Sequence, residues 1–170
     1  MGSPSSEDYL GIYLKDQLAA GIVWRELALR AERQNRESET GRALQRVAQA
    51  IAEDVETFEL IMDRLGVRRS RVKNAMAFAA ERAGRLKLNG QILGYSPLSR
   101  FVELEALVMG IEGKKVLWTT LGDVAGLRTR LPEIDFDELM VRADQQRAEL
   151  EPLRAAAGRA AFRPEQPATS

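Results

Sequence analysis

The stretch 102-VELEALVMGIEGKKVLW-118 is strongly apolar yet carries three glutamates, Glu103, Glu105 and Glu112. At about 100° of rotation per residue, side chains seven apart on a helix share a face. Glu105 and Glu112 are so spaced. Leu98, Phe101, Val102, Val108, Met109 and Val116 fall around them, with Arg100, Glu103 and Lys114 on the opposite side. This phase makes Glu103 a solvent residue and points Glu105 and Glu112 into the apolar stripe. A buried carboxylate is expensive unless it is paired or binds a metal. The partners available to these two groups therefore decide what kind of helical protein this is.

Outward from that stretch the pattern stays helical. Helices are expected over 8–34, 39–65, 70–87, 97–122 and 135–159. Pro97 suits a first helical turn, and Gly66 suits the residue after a helix end. The segment 89-NGQILGYSP-97 breaks the periodicity with two glycines and a proline. Residues 1–7 read as a flexible arm, whose MGSPSS start also fits a myristoylation pattern at Gly2 with Ser6. Residues 163–170 read as a disordered tail, leaving one domain over 8–162. No strand-like alternation is visible. The fold class is all-α, and the four helices of similar length imply a four-helix bundle.

Composition narrows the chemistry. The chain has 170 residues, is 45% hydrophobic and 29% charged, and balances 25 Lys+Arg against 25 Asp+Glu. It contains no Cys and no His. Thiolate chemistry, imidazole bases and imidazole metal ligands are thereby excluded. No apolar run is long enough to span a membrane. A cytoplasmic location is expected. There is no nucleophile elbow and no phosphate-binding glycine loop. Gly110 and Gly113 read as close-packing points for a neighbouring helix, and Trp24 and Trp118 as core.

The other long helices repeat the polar theme. Asp54 lies among Val47, Ile51, Phe58, Ile61 and Leu65, and Gln17 among Leu10, Tyr13, Leu14, Gly21, Trp24 and Ala28. Gln146 lies among Leu139, Ala143, Leu150 and Leu153. Arg25, Lys115 and Arg147 border these stripes and are long enough to reach inward.

Helices that aim polar groups inward, with a long segment 66–96 between two helix pairs, resemble the ferritin-like superfamily. The phrases DYLGIYLKDQLAAG, IAEDVE and SPLSRFVELEALVMGIEGKKVLW are similar to an uncharacterised bacterial ferritin-like family. The resemblance implies a ferritin-like four-helix bundle with the short helix 70–87 in the crossover. Helices 39–65 and 97–122 then run parallel, with Gln17, Asp54, Glu112 and Gln146 at similar heights. A di-iron site in that fold takes a Glu from each of two helices and Glu-x-x-His from each of the others. Here His is absent, Glu53 and Glu56 face away from the stripe, and amides stand where two helices would supply ligands.

Two readings follow for the interior. In one, Asp54, Glu105, Glu112, Gln17 and Gln146 bind a hard cation such as Mg²⁺, Mn²⁺ or Ca²⁺, or iron, as a carboxylate-bundle enzyme. In the other, Arg25, Lys115 or Arg147 replaces the metal charge, and the chain is a non-catalytic scaffold or interaction protein needing no cofactor. The second is preferred. A homodimer is expected because Leu104, Leu107, Ile111 and Trp118 widen the apolar arc of helix 97–122 beyond one stripe. A further reading comes from the basic run Arg64, Arg68, Arg69, Arg71, Lys73, Arg82, Arg85, Lys87 and Arg100, opposed only by Glu81. A basic amphipathic helix can dock on an acidic protein or an anionic surface. Apart from Phe78 no aromatic residue is interleaved with the basic ones, which argues against nucleic acid.

Overall fold

The computed structural model describes residues 5–68 and 95–163. Every regular element among them is helical: α1 (Ser6–Asn35), α2 (Glu39–Arg64), α3 (Pro97–Thr119), α4 (Leu127–Arg130) and α5 (Phe136–Phe162). A π-helical turn, Thr120–Val124, carries α3 one turn further. No described helix is long and apolar enough to cross a membrane.

Each long helix starts at a side chain that takes up an orphan backbone N–H. Ser5 forms a capping box with Asp8, and Ser38 accepts from the Gly41 N–H. Ser96 accepts from the Ser99 N–H ahead of Pro97, and Asp135 accepts from the Asp137 and Glu138 N–H groups. The caps place α1 two residues before its expected start. The π turn overlaps the expected end of the helix at residue 122, and α4 occupies a region expected as loop. There Thr120 Oγ1 donates back to the Val116 carbonyl at 2.9 Å, and the Ala125 N–H reaches the Thr120 carbonyl at 2.8 Å.

α1 packs most extensively on α2, and α3 on α5; smaller contacts join α1 to α3 and α2 to α5. Cross-helix pairs give the directions. Arg30 meets Glu103 while Trp24 lies over Gly110, so α1 and α3 are antiparallel. Lys115 meets Asp144 and Arg154 meets Glu105, so α3 and α5 are antiparallel. Arg46 pairs with Glu149 and Arg142 with Glu53, so α2 and α5 are antiparallel. Helices α2 and α3 therefore run the same way. The chain leaves α2 with Val67 beside Gly11, near the start of α1. It rejoins at Tyr95, bonded to Asn35 at the end of α1.

The core divides into two apolar clusters. One gathers Leu14, Leu18, Val55, Phe58, Ile61, Trp118 and Phe136. The other gathers Ala28, Leu44, Val47, Ile51, Leu104, Leu107, Ile111 and Leu150. On α2 the division falls between Ile51 and Val55, and on α3 between Ile111 and Leu117.

Helix α3 is rotated relative to the sequence expectation. Leu104, Leu107, Ile111 and Trp118 are all buried, so they cannot supply a dimer surface. Met109 and Val116, expected inside, are 68% and 60% exposed. The difference is about one residue, or about 100°. The helix is apolar on most of its circumference, so periodicity leaves its phase open. The expected helix 70–87 and basic residues Arg69, Arg71, Lys73, Arg82, Arg85 and Lys87 lie outside the described residues. So do residues 1–4 and 164–170. Arg68 is exposed, and Arg64 pairs with Glu133 at 3.4 Å.

The turn between α1 and α2 depends on Gly41. A Cβ there would lie 2.1 Å from the Asn35 carbonyl oxygen. Gly41→Ala should cost about 2 kcal/mol or more in urea unfolding, because backbone has to move. At Gly113 a Cβ meets nothing within 4 Å. Gly113→Ala should instead stabilise by up to about 1 kcal/mol through helix propensity.

Candidate functional site

The polar layer between the two core clusters is built by three helices. Asp54 on α2 is 3% exposed and Gln146 on α5 is 5% exposed. Between them comes Lys114 of α3, whose Nζ donates to both Asp54 Oδ2 and Gln146 Oε1. Gln146 Nε2 closes the triangle by donating to Asp54 Oδ2 at 3.0 Å. Arg142, one turn before Gln146, lies 3.3 Å from Asp54 Oδ1 and 2.9 Å from Glu53 Oε2. Burial pulls the Lys114 ammonium below the usual lysine range, and Asp54 pulls it part of the way back. Arg142, a like charge, adds to the downward pull.

The sequence-predicted residues divide here. Asp54 and Gln146 come together in the interior. Glu105 and Glu112 do not join them: Glu105 pairs with Arg154 and Glu112 with Arg147, each at 3.5 Å. The Glu112 side chain is 55% exposed. Both glutamates move outward because of the rotation of α3. The cations expected to reach inward are also peripheral. Arg25 pairs with Glu26, Lys115 with Asp144, and Arg147 with Glu112. Lys114, assigned from sequence to the outer face, is the interior cation. Its signal was present: 104, 107, 111, 114, 118 and 121 form a continuous heptad-like stripe of Leu, Leu, Ile, Lys, Trp and Leu.

The proposed metal ligands therefore do not assemble. Among the described residues no group of three Asp, Glu, His or Cys side chains converges to hold an ion. The point where Asp54 and Gln146 meet is filled by the Lys114 ammonium.

Gln17 does not enter this triangle. It is half-buried in the wall of a cleft of about 430 Å³ between α1, α2 and α3. Asp54 and Lys114 also line this cleft, with Tyr13, Trp24, Phe58 and Trp118. Trp24 packs over Gly110, where a Cβ would lie 2.6 Å from the indole. The other expected close-packing point, Gly113, touches no neighbour and borders the cleft instead.

A second polar network joins α1 to the start of α3. Asn35 Nδ2 donates to Ala31 O at 2.8 Å and to the Tyr95 hydroxyl at 2.6 Å. Tyr95 donates to Glu103 Oε2 at 3.0 Å, and Arg30 lies 3.3 Å from Glu103 Oε1. Glu103, expected in solvent, is 7% exposed. Burial raises its pKa, against the Tyr95 hydroxyl and Arg30, which lower it. Burial also pushes the Tyr95 hydroxyl up, to about 12.

Comparison with protein-family models, curated proteins and solved structures finds no match to the chain in any of the three.

Removing one partner of a buried pair leaves the other charge uncompensated, at about 3–5 kcal/mol. Lys114→Met should lose stability on that scale in urea unfolding. The triple change Lys114→Met, Asp54→Leu, Gln146→Leu should recover most of the loss or exceed the starting stability. Glu112→Gln should shift stability by less than about 0.5 kcal/mol, as an exposed pair does.

Glu103 predicts a pH dependence. With its folded pKa above the ordinary 4.5, the folded chain binds more protons than the unfolded chain between those two values. Its contribution is fully present below 4.5 and is lost as pH rises through the raised value. Glu103→Gln keeps the shape without the titration, so it should remove that fall. Unfolding free energies of both proteins, measured from about pH 4 to about pH 7, check the sign.

Proposed function

We propose that the chain is a non-catalytic scaffold or interaction protein of ferritin-like topology, with an internal cation at the place where that fold carries metal. The observation that carries this reading is the Lys114 ammonium bonded to both Asp54 and Gln146. The helix directions also support it: α2 and α3 run parallel, as a crossover between two antiparallel pairs requires. The chain has no His or Cys from which to build a redox metal site.

Interaction then falls to the surface. With Leu104, Leu107, Ile111 and Trp118 in the core, self-association has to use other apolar side chains. Tyr9 and Ile12 on α1 and Met109 and Val116 on α3 are exposed and available for it. A bacterial, cytoplasmic setting belongs to the same reading.

Metal content tests the proposal. Protein purified without chelator, and again after incubation with Fe²⁺ or Mn²⁺ and desalting, should carry far less than one ion per chain. Stoichiometric iron or manganese that disappears in Asp54→Asn would establish the carboxylate-bundle enzyme instead.

A further inference from the structure

The ion triangle leaves an unused bonding capacity beside an unfilled volume. An ammonium has three N–H donors. Asp54 and Gln146 take two of those of Lys114, and no third acceptor is present among the described residues. Lys114 also lines the 430 Å³ cleft, so the polar end of that space is a donor. Asp54 and Gln17 are the other polar side chains of the lining, and the rest is apolar and aromatic, with Trp24, Phe58, Leu107 and Trp118 among it. The cleft opens beside Gly113, Met109 and Val116, all exposed. Its size and lining are those of a small-molecule site, largely apolar with a few convergent polar groups.

Charge selects the head group. Lys114 and Arg142 are matched by Asp54 and Glu53, so selection rests on the Lys114 ammonium, the one cation among the described residues that line the cleft. An incoming cation meets the Lys114 ammonium as a like charge. A neutral hydroxyl gains one ordinary hydrogen bond. A carboxylate gains a charge-assisted bond, the stronger kind.

We infer that the cleft between α1, α2 and α3 binds a monocarboxylic acid with an apolar body, its carboxylate on Lys114 Nζ and its body against Trp24, Phe58 and Trp118. This assignment rests on the cleft and the lysine, and holds whether or not the fold is ferritin-like.

The protein supplies its own reporter, since Trp24 and Trp118 are the two tryptophans of the chain and both line the cleft. Decanoate, kept below the concentration at which it self-associates, should change tryptophan emission saturably at one molecule per chain. Decanol should bind at least about tenfold more weakly, the difference a charge-assisted bond makes. Decyltrimethylammonium should not bind. Gly113→Leu places a side chain at the mouth, where a Cβ meets no neighbour. It should abolish the decanoate response without lowering the melting temperature. In Lys114→Met, decanoate should bind no better than decanol; if that variant does not fold, the head-group series and Gly113→Leu decide alone. Absence of a saturable response, decanol equal to decanoate, or undiminished binding to Gly113→Leu would each overturn the assignment.

Discussion

A lysine ammonium in the middle of a helical core sets the terms for the rest of the molecule. Lys114 is bonded to carboxylate and amide oxygens from two other helices, so one side chain couples α2, α3 and α5 at a single height. Sliding α3 by one turn, about 5 Å, would carry the ammonium out of reach of both acceptors. Asp54 would then be a buried charge left with Arg142 and the Gln146 amide, and Gln146 would lose its contact to the lysine. Apolar contacts alone tolerate such a slip far better, because one leucine resembles the next along a helix. The pair is weak as a source of net stability, since desolvation offsets most of its attraction. Its effect is to make one register much better than its neighbours.

The cleft has the same origin. A polar layer interrupts the core at Asp54 and Lys114, and the apolar clusters close on either side of it. At that height α1 and α3 face each other through small residues, among them Gly21, Gly110 and Gly113. Trp24 fills the space over Gly110, but nothing fills the space over Gly113. The small residues that bring helices together at one level thus leave them unpacked at the next. The glycines cost helix propensity in both places, with a packing return only at the first.

The sequence disclosed the helices more readily than their rotation. Apolar spacing and breakers such as Gly66 and 96-SP-97 marked the long elements, because caps and helix-breaking residues act locally. Asp54 and Gln146 could be placed inside because each sits in a stripe bordered by polar residues. Helix α3 gave no such contrast. Its apolar residues surround nearly the whole helix, and two phases about 100° apart fit them equally well. One phase buries Glu105 and Glu112; the other, which the fold adopts, buries Glu103 and Lys114. The usual preference of lysine for the surface favours the first. The continuous stripe from Leu104 to Leu121 is interrupted only by Lys114, and burial of an interrupted stripe is the more economical packing. Tyr95 and Asn35 carried no periodic signal, because their contact depends on where the chain returns after Arg68.

Charge at the triangle bears on what it can accept. Asp54 stands beside Lys114 and Arg142, and Glu53 takes up Arg142 from the other side, so two positive charges are matched by two carboxylates. A divalent ion would add two uncompensated positive charges beside the Lys114 ammonium, in a region of low effective dielectric where like charges repel strongly. To enter, it would have to drive the proton from Lys114 and displace the ammonium from both Asp54 and Gln146. It would gain one carboxylate and one amide, too few for an ion that takes six or more oxygens. A carboxylate approaching from the cleft has none of these obstacles. It meets a donor already oriented by two fixed acceptors, and it leaves the triangle in place. The same lysine that stands in for a metal ion in the proposed scaffold would therefore be the group that receives the proposed anion.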